Sequence, residues 1–212
     1  RGLQNDFDPY LQVTSRIQGL EAVGHPTEKI ELLILGGTWS AYPRQYQEWF
    51  IKRCLDGLNS EDSATVKDAQ ELNETAIHRN VGMVIETRPD AISKREVIHL
   101  RKLGVTKVQI GAQSMDDQIL KLNKRGHRVK DTLNAVSLLR AAGFKIVVHW
   151  MPNLYGSDPA KDREDFAKLW KSLCPDELKI YPNQLLENAE LYDYWLRGQF
   201  TPYTTQQLVE LV

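Results

Sequence analysis

Five short apolar segments alternate with helix-like segments along this chain, and this alternation limits the possible folds more than any other feature of the sequence. Three of the four intervals from one strand start to the next are about 25–45 residues long, as in units of parallel strands joined by crossover helices. We therefore predict an α/β fold, either a partial barrel or an open doubly wound sheet, whose strands are parallel neighbours in chain order. The predicted strands are 30–35, 82–86, 107–111, 144–150 and 177–181.

The first predicted strand contains a continuous apolar run, Leu32–Leu35, followed by Gly36 and Gly37. We predict that both faces of this strand are buried, because helices cover each side of a parallel sheet. Glycine backbone can adopt unusual dihedral angles and allows a ligand to approach closely. Ligands of parallel α/β folds bind at the carboxyl ends of the strands, where these glycines lie. A tight turn without a ligand is the alternative.

The amino-acid composition limits the classes of protein to which this chain can belong. The 212 residues contain 27 basic and 28 acidic side chains, so any nucleic-acid contact has to come from a local patch. We predict one domain over residues 1–212. The two widely separated cysteines argue against a disulfide framework and favour a cytoplasmic protein. The sequence lacks an initiator methionine and ends in an apolar helical pattern, so we expect a piece of a longer protein.

Polar residues inside the predicted strands suggest a site. Gln109, His149 and Lys179 lie in strands whose neighbours are apolar. Burying an unpaired polar group costs about 1–3 kcal/mol, so each one has either a partner in the core or a ligand. A satisfied core residue is the simpler explanation for any one of them. Because polar groups recur at all five strand ends, a ligand site is favoured.

A basic segment lies between two predicted helices. A solvated turn would explain it, and so would a surface that contacts phosphate groups, since Lys and Arg supply most of the affinity for nucleic acids. The candidate phosphate-binding residues are Lys121, Lys124, Arg125, His127, Arg128 and Lys130, together with Arg88 after the second strand.

Six motifs in this order resemble the family of Elongator catalytic subunits, which modify the wobble uridine of tRNA. The resemblance covers essentially the whole chain and implies a partial (β/α)6 barrel of the radical S-adenosylmethionine (SAM) type, incomplete at its N-terminus. In that family, a 4Fe–4S cluster cleaves SAM, and the resulting deoxyadenosyl radical activates acetyl-CoA for attack at C5 of uridine. The motifs are GGTW, IETRPD, the RGH of NKRGHRVKD, AGFKIVVHWMPNL, LKIYP and PYTTQQLVELV.

The resemblance also implies roles for individual residues. Gly36 and Gly37, followed by Thr38, match the segment that receives the amino group of SAM. Lys179 and Tyr181 match the last strand end, near the reacting groups, and are our catalytic candidates. The other candidate SAM-binding residues are Glu86, Gln109, Gln113, His149, Met151 and Asn153.

Some family features are absent from this sequence. The three closely spaced cluster cysteines are missing, as is the acetyltransferase domain. Cys54 and Cys174 fit core or structural positions, so we predict no metal ligands in the chain. Tyr155 stands where we expect proline, and the segment 183–192 is unusual for the family.

We predict the radical SAM domain of a tRNA wobble-uridine acetyltransferase. Its implied partners are tRNA and either other Elongator subunits or a second copy of the chain. Two alternatives are a radical SAM enzyme that acts on a small molecule and an RNA-binding or assembly module without a cluster.

Overall fold

Strands and helices alternate along the chain as the sequence predicts. The computed structural model of the chain describes residues 2–212. The strands are β1 (Lys29–Ile34), β2 (Arg79–Thr87), β3 (Lys107–Gln113), β4 (Lys145–Trp150) and β5 (Glu177–Ile180). The helices are α1 (Pro9–Glu21), α2 (Arg44–Asn59), α3 (Val66–Asn73), α4 (Lys94–Lys102), α5 (Asp117–Leu122), α6 (Val129–Ala141), α7 (Pro159–Leu173), α8 (Glu190–Leu196) and α9 (Thr205–Leu211).

The strands form one parallel sheet in the order β1-β2-β3-β4-β5, which confirms the predicted fold class and strand order. In the last pair, His149 of β4 lies beside Lys179 of β5. Parallel neighbours in register direct side chains of the same parity to the same face, so these two polar residues share one side of the sheet.

The prediction that the first strand is buried on both faces is wrong. Leu33 and Leu35 are 46% and 57% exposed, and burial along β1 alternates. The reason is that β1 lies at one edge of the sheet. Continuous burial on both faces occurs instead in β4, where only Lys145 is exposed.

The described chain divides into two compact units. Residues 2–86 and 95–107 form the first unit, and residues 87–94 and 108–212 form the second. The core of the first unit includes Ile51, Leu55 and Met83, and that of the second includes Ile110 and Trp150. The single domain expected from the sequence stays a prediction.

Capping residues fix where helices begin. Asp8 and Asp158 each precede a proline at the first helical position, and each side chain accepts hydrogen bonds from two backbone N–H groups of α1 or α7. Both features are standard helix-start signals. Within residues 2–212, no helix combines the length and the apolar character needed to cross a bilayer.

Candidate functional site: polar groups at the strand ends

In the first unit, the segment after β1 contains two glycines with positive φ angles. These are +123° at Gly36 and +81° at Gly37, and a Cβ atom added at either position would meet no heavy atom within 4 Å. The requirement for glycine is therefore conformational, and the backbone of both residues lies next to open space. Thr38 follows and is half-buried, as is Glu86 near the end of β2.

Two buried side chains that the sequence did not single out hold the segment after these glycines. The Gln47 amide on α2 donates to the backbone oxygens of Trp39 at 3.2 Å and Tyr42 at 2.9 Å. Its Oε1 lies 3.0 Å from Nε2 of His99 on α4. Burial and the nearby Arg44 lower the pKa of His99. This network fixes where the backbone goes after it leaves the glycines.

In the second unit, the structure brings together the three polar strand residues that the sequence singled out. Oε1 of Gln109 on β3 accepts a hydrogen bond from Nζ of Lys179 at 2.8 Å and lies 2.9 Å from Nε2 of His149. Gln109 and His149 are almost fully buried, at 2% and 5% exposure. Three neighbouring strands therefore present one polar cluster.

The cluster determines the tautomer of His149. An ammonium group can only donate, so the group of Gln109 that faces Lys179 has to be its oxygen. The same oxygen contacts Nε2 of His149, which therefore carries a proton. Burial, and secondarily the charge of Lys179, lower the pKa of His149 to about 4. At neutral pH, His149 is thus an uncharged imidazole protonated on Nε2.

The two candidate amides at the ends of β3 and β4 differ in their remaining hydrogen-bonding capacity. Gln113 and Asn153 both have left-handed backbone, with φ near +68° and +67°. Oε1 of Gln113 is buried and has no partner among residues 2–212. Both ends of the Asn153 amide have internal partners, because Nδ2 donates to Asn183 O and Oδ1 accepts from Tyr203 N. Gln113 is thus the stronger candidate for a ligand contact, whereas Asn153 holds neighbouring segments.

A cleft of about 200 Å³ in the second unit places Arg125 beside Met151. Arg125 is half-buried, and among the described residues no acidic side chain pairs with its guanidinium. Burial, and secondarily the charge of Arg88, lower the pKa of Arg125. A guanidinium stays charged in proteins, so its burial without an anion is unfavourable. This arrangement indicates an anionic ligand for Arg125.

Tyr181 lies next to the polar cluster. Its ring meets the ring of His149 edge to face, with centroids 5.4 Å apart, and Tyr181 is 47% exposed. The phenol can therefore reach a bound molecule while its ring is supported by His149.

Two of the predicted RNA-binding residues make contacts within the chain. His127 is 6% exposed, with Nε2 3.1 Å from the Ala112 carbonyl oxygen, so its burial favours a structural role. Arg88 makes a bidentate ion pair with Asp90, with both N–O distances 2.9 Å. The guanidinium of Arg88 also lies where a Cβ of Gly126 would be, at 2.9 Å, and φ is +77° at Gly126. The glycine of the RGH motif is therefore required for packing and conformation.

The remaining cations of the basic segment are exposed. Lys121, Lys124 and Arg128 line a surface cavity of about 530 Å³, and Lys130 is exposed on α6. Lys124 forms an exposed ion pair with Glu190 of α8, at 2.5 and 2.6 Å. The pair raises the pKa of Lys124 and lowers that of Glu190.

Sequence reasoning missed two buried carboxylates on α7. Asp165 accepts hydrogen bonds from Ser114 Oγ, Met115 N and Trp150 Nε1 at 2.7–2.9 Å. Asp162 accepts from Asn153 N at 2.8 Å and from the Tyr203 hydroxyl at 2.9 Å. The sequence spacing of Asp162, Asp165 and Leu169 places all three on the buried face of α7. This pattern could have predicted the two buried carboxylates, because a carboxylate on an apolar helix face needs partners.

The cysteines of the chain do not fit a 4Fe–4S cluster. Cys54 is buried in α2, where burial raises its pKa to about 12, and Cys174 ends α7. Within the described part of the chain, no group of three or more His, Cys, Asp or Glu residues could hold a metal ion.

Comparisons with known proteins connect this geometry to a family. The profile of the radical SAM superfamily matches residues 8–169. A tRNA uridine(34) acetyltransferase of Methanocaldococcus infernus is 49% identical over 100% of this chain and 40% of its own length. Human Elongator complex protein 3 is 34% identical over 100% of the chain and 39% of its own length. The chain thus spans about two fifths of these curated relatives.

Solved structures agree with the fold. The archaeal Elp3 of Methanocaldococcus infernus, solved with an N-terminal deletion, matches 99% of this chain and 50% of its own chain, with a TM-score of 0.95 and 48% identity. Coproporphyrinogen III oxidase of Escherichia coli, a radical SAM enzyme, has a TM-score of 0.60 at 17% identity, which shows a shared fold only. Because the profile matches residues 8–169, well over half of the sequence, the chain belongs to the radical SAM superfamily.

Proposed function

We propose that this chain is the radical SAM part of a tRNA uridine(34) acetyltransferase, which installs a carboxymethyl-type group at C5 of the wobble uridine from acetyl-CoA. The observation that carries the proposal is the match of the entire chain, at 49% and 47% identity, to two archaeal relatives with that name. The strand-end groups of the second unit have the chemistry that such a site needs.

Membership of the superfamily implies SAM and a 4Fe–4S cluster as cofactors. Together they supply radical chemistry when bound. The donor set of this chain fits SAM, which carries an ammonium and a carboxylate. The unpartnered buried oxygen of Gln113 suits an N–H donor, and the unpaired guanidinium of Arg125 suits the carboxylate. Glycine backbone at residues 36 and 37 stays the proposed site for the amino group.

The residues present do not fit the 4Fe–4S cluster itself.

The Gln109 cluster explains how Lys179 and Tyr181 would act on an acyl substrate. Gln109 holds Nζ of Lys179 in place at 2.8 Å, and the neutral His149 supports the ring of Tyr181. The hydrogen bond to Gln109 uses only one of the donors of Lys179. The ring contact with His149 leaves the hydroxyl of Tyr181 unused. Both groups can therefore donate to a substrate oxygen, and these contacts define the catalytic role that we propose for them.

Incubating the complete natural protein with SAM, acetyl-CoA, a reductant and a tRNA tests the proposed activity. We expect a carboxymethyl-type adduct on the wobble uridine, detected by mass spectrometry of the digested nucleosides. A tRNA with cytidine at the wobble position is the matched control. Turnover of SAM on a small molecule with no change in the tRNA would favour the alternative enzyme, and RNA binding without SAM turnover would favour the binding module.

The exposed cations of the basic segment are proposed to contact tRNA phosphates. Removing Lys121 and Arg128 together should lower the magnitude of the log–log salt slope of tRNA binding by about 1.4–1.8, since each lost phosphate contact removes about 0.7–0.9. Glu190→Gln removes the acidic partner of Lys124. It should therefore tighten tRNA binding about two- to fivefold at low salt. Fluorescence anisotropy with labelled tRNA measures both effects.

The matched control for these variants removes Lys168 and Lys171 of α7, which changes the net charge equally outside the basic segment. The control variant could lower the tRNA affinity and the salt slope as much as the variant without Lys121 and Arg128. In that case the basic segment is a solvated turn and only net charge matters. Unchanged affinity for Glu190→Gln would mean that Lys124 does not reach a phosphate.

A further inference from the structure

The backbone of Gly36 and Gly37 is available to a ligand and is not held by the rest of the chain. Among residues 2–212, neither the N–H nor the C=O group of either glycine has a hydrogen-bond partner. Strand β1 ends before them, at Ile34. The position of the glycine backbone therefore depends on the segment that follows it.

That segment is a tight turn over residues 38–42, which we call the turn. Two backbone hydrogen bonds close it. Ala41 N donates to Thr38 O at 3.0 Å, and Tyr42 N donates to Trp39 O at 3.1 Å. The turn begins directly after the second glycine, so it is the nearest ordered structure on that side of the glycines.

Gln47 on α2 holds the turn in place. Both hydrogens of its side-chain amide are used, because Nε2 donates to the backbone oxygens of Trp39 and Tyr42. Trp39 O therefore accepts two hydrogen bonds, which is the capacity of a carbonyl oxygen. Gln47 is 1% exposed, so solvent does not compete for these hydrogen bonds. The turn is thus tied to α2 at two points.

His99 on α4 fixes the orientation of the Gln47 amide. A carbonyl oxygen can only accept, so the nitrogen of Gln47 faces the turn and its oxygen faces Nε2 of His99, 3.0 Å away. Nε2 therefore carries a proton and donates. Without this donor, the Gln47 amide would lose the contact that selects its orientation. A line of buried hydrogen bonds thus runs from α4 through Gln47 to the turn.

We propose that Gln47 is a positioning residue for SAM, which holds the glycine backbone where it meets the amino group, and that His99 acts only through Gln47. This inference rests on the proposed function, because the glycine backbone is the proposed site for that amino group. Gln47 and His99 act from behind the turn and are not assigned any contact with SAM. Loss of either should weaken SAM binding without changing the groups that act on the substrate.

Gln47→Met tests this role in the complete natural protein with its cluster assembled. Methionine is similar in length and volume to glutamine but has no amide donors. We expect the dissociation constant for SAM, measured by isothermal titration, to rise about five- to twentyfold. The KM for SAM should rise similarly, while kcat at saturating SAM and the KM for tRNA stay within about twofold of wild type. A merely structural role would instead lower the active fraction, and with it kcat, at unchanged KM.

Hydrogen exchange of the protein without SAM gives a readout that does not depend on activity. The amides of Ala41 and Tyr42 should exchange about tenfold faster in Gln47→Met, whereas those of β4 should not change. His99→Leu should raise the dissociation constant for SAM about two- to fivefold. The double variant should bind SAM no more weakly than Gln47→Met alone, because two residues that act as one unit are not additive.

Gln45→Met is the matched control, since Gln45 is exposed on the same helix, and it should bind SAM as wild type does. Normal SAM affinity in Gln47→Met would overturn the inference and leave the proposed function standing. Additive losses in the double variant, or a lower kcat at unchanged KM, would also overturn it. If Gln47→Met does not fold, His99→Leu decides: wild-type exchange of the turn and wild-type SAM affinity would contradict the inference. Failure of the wild-type protein to bind SAM would refute both proposals.

Discussion

Replacing Arg125 by alanine is expected to weaken SAM binding by about 30- to 700-fold, which corresponds to about 2–4 kcal/mol. The reason is that Arg125 is half-buried and lacks an acidic partner among the described residues, so a bound carboxylate would be its anion. A guanidinium binds a carboxylate through two parallel hydrogen bonds, which are among the strongest in proteins. Isothermal titration of the complete natural protein, with its cluster assembled under anaerobic conditions, measures the change.

Two further variants sharpen this test. Arg125→Lys keeps the charge but loses the two-pronged geometry, so we expect an intermediate loss of affinity. Arg128→Ala removes an exposed cation three residues away and should leave SAM binding unchanged while it weakens tRNA binding. If Arg125→Ala bound SAM normally and instead reduced the salt slope of tRNA binding, Arg125 would belong to the RNA surface, as the sequence had suggested.

Replacing Asp165 by alanine is expected to lower the free energy of unfolding by about 3–5 kcal/mol. The variant leaves three buried donors without a partner: the Ser114 hydroxyl, the Met115 N–H and the Trp150 indole N–H. These donors lie at the ends of β3 and β4, so the loss would loosen the segments that carry Gln113 and Met151. Denaturant titration followed by tryptophan fluorescence measures the change in stability.

Glu164→Ala is the matched control, because Glu164 is the exposed neighbour of Asp165 on α7. It should change the free energy of unfolding by less than about 0.5 kcal/mol. Asp165→Asn keeps one acceptor oxygen for Ser114 and Met115 but turns an amide N–H₂ toward the Trp150 donor, so an intermediate loss is expected. A loss for Asp165→Ala no larger than that for Glu164→Ala would show that these hydrogen bonds do not stabilise the fold.

The order of strands and helices followed from the sequence because it depends on local patterns. Apolar runs, caps such as Asp158 before Pro159, and a glycine after a helix act over a few residues. Strand order then followed because short crossovers place consecutive parallel strands side by side. The polar strand residues Gln109, His149 and Lys179 stood out for the same reason, since a polar group inside an apolar run is visible without knowing its partners.

The tertiary structure decided which side each residue faces and which partners it meets. Burial of β1 could not be read from its apolar run, because an edge strand and a central strand can have the same composition. Arg125 and Arg128 look equivalent in a basic segment, yet one lies in a cleft and the other on the surface. Asp165 collects its three donors from residues 15 to 51 positions away. Such contacts depend on how distant segments pack, and local sequence patterns carry no record of that packing.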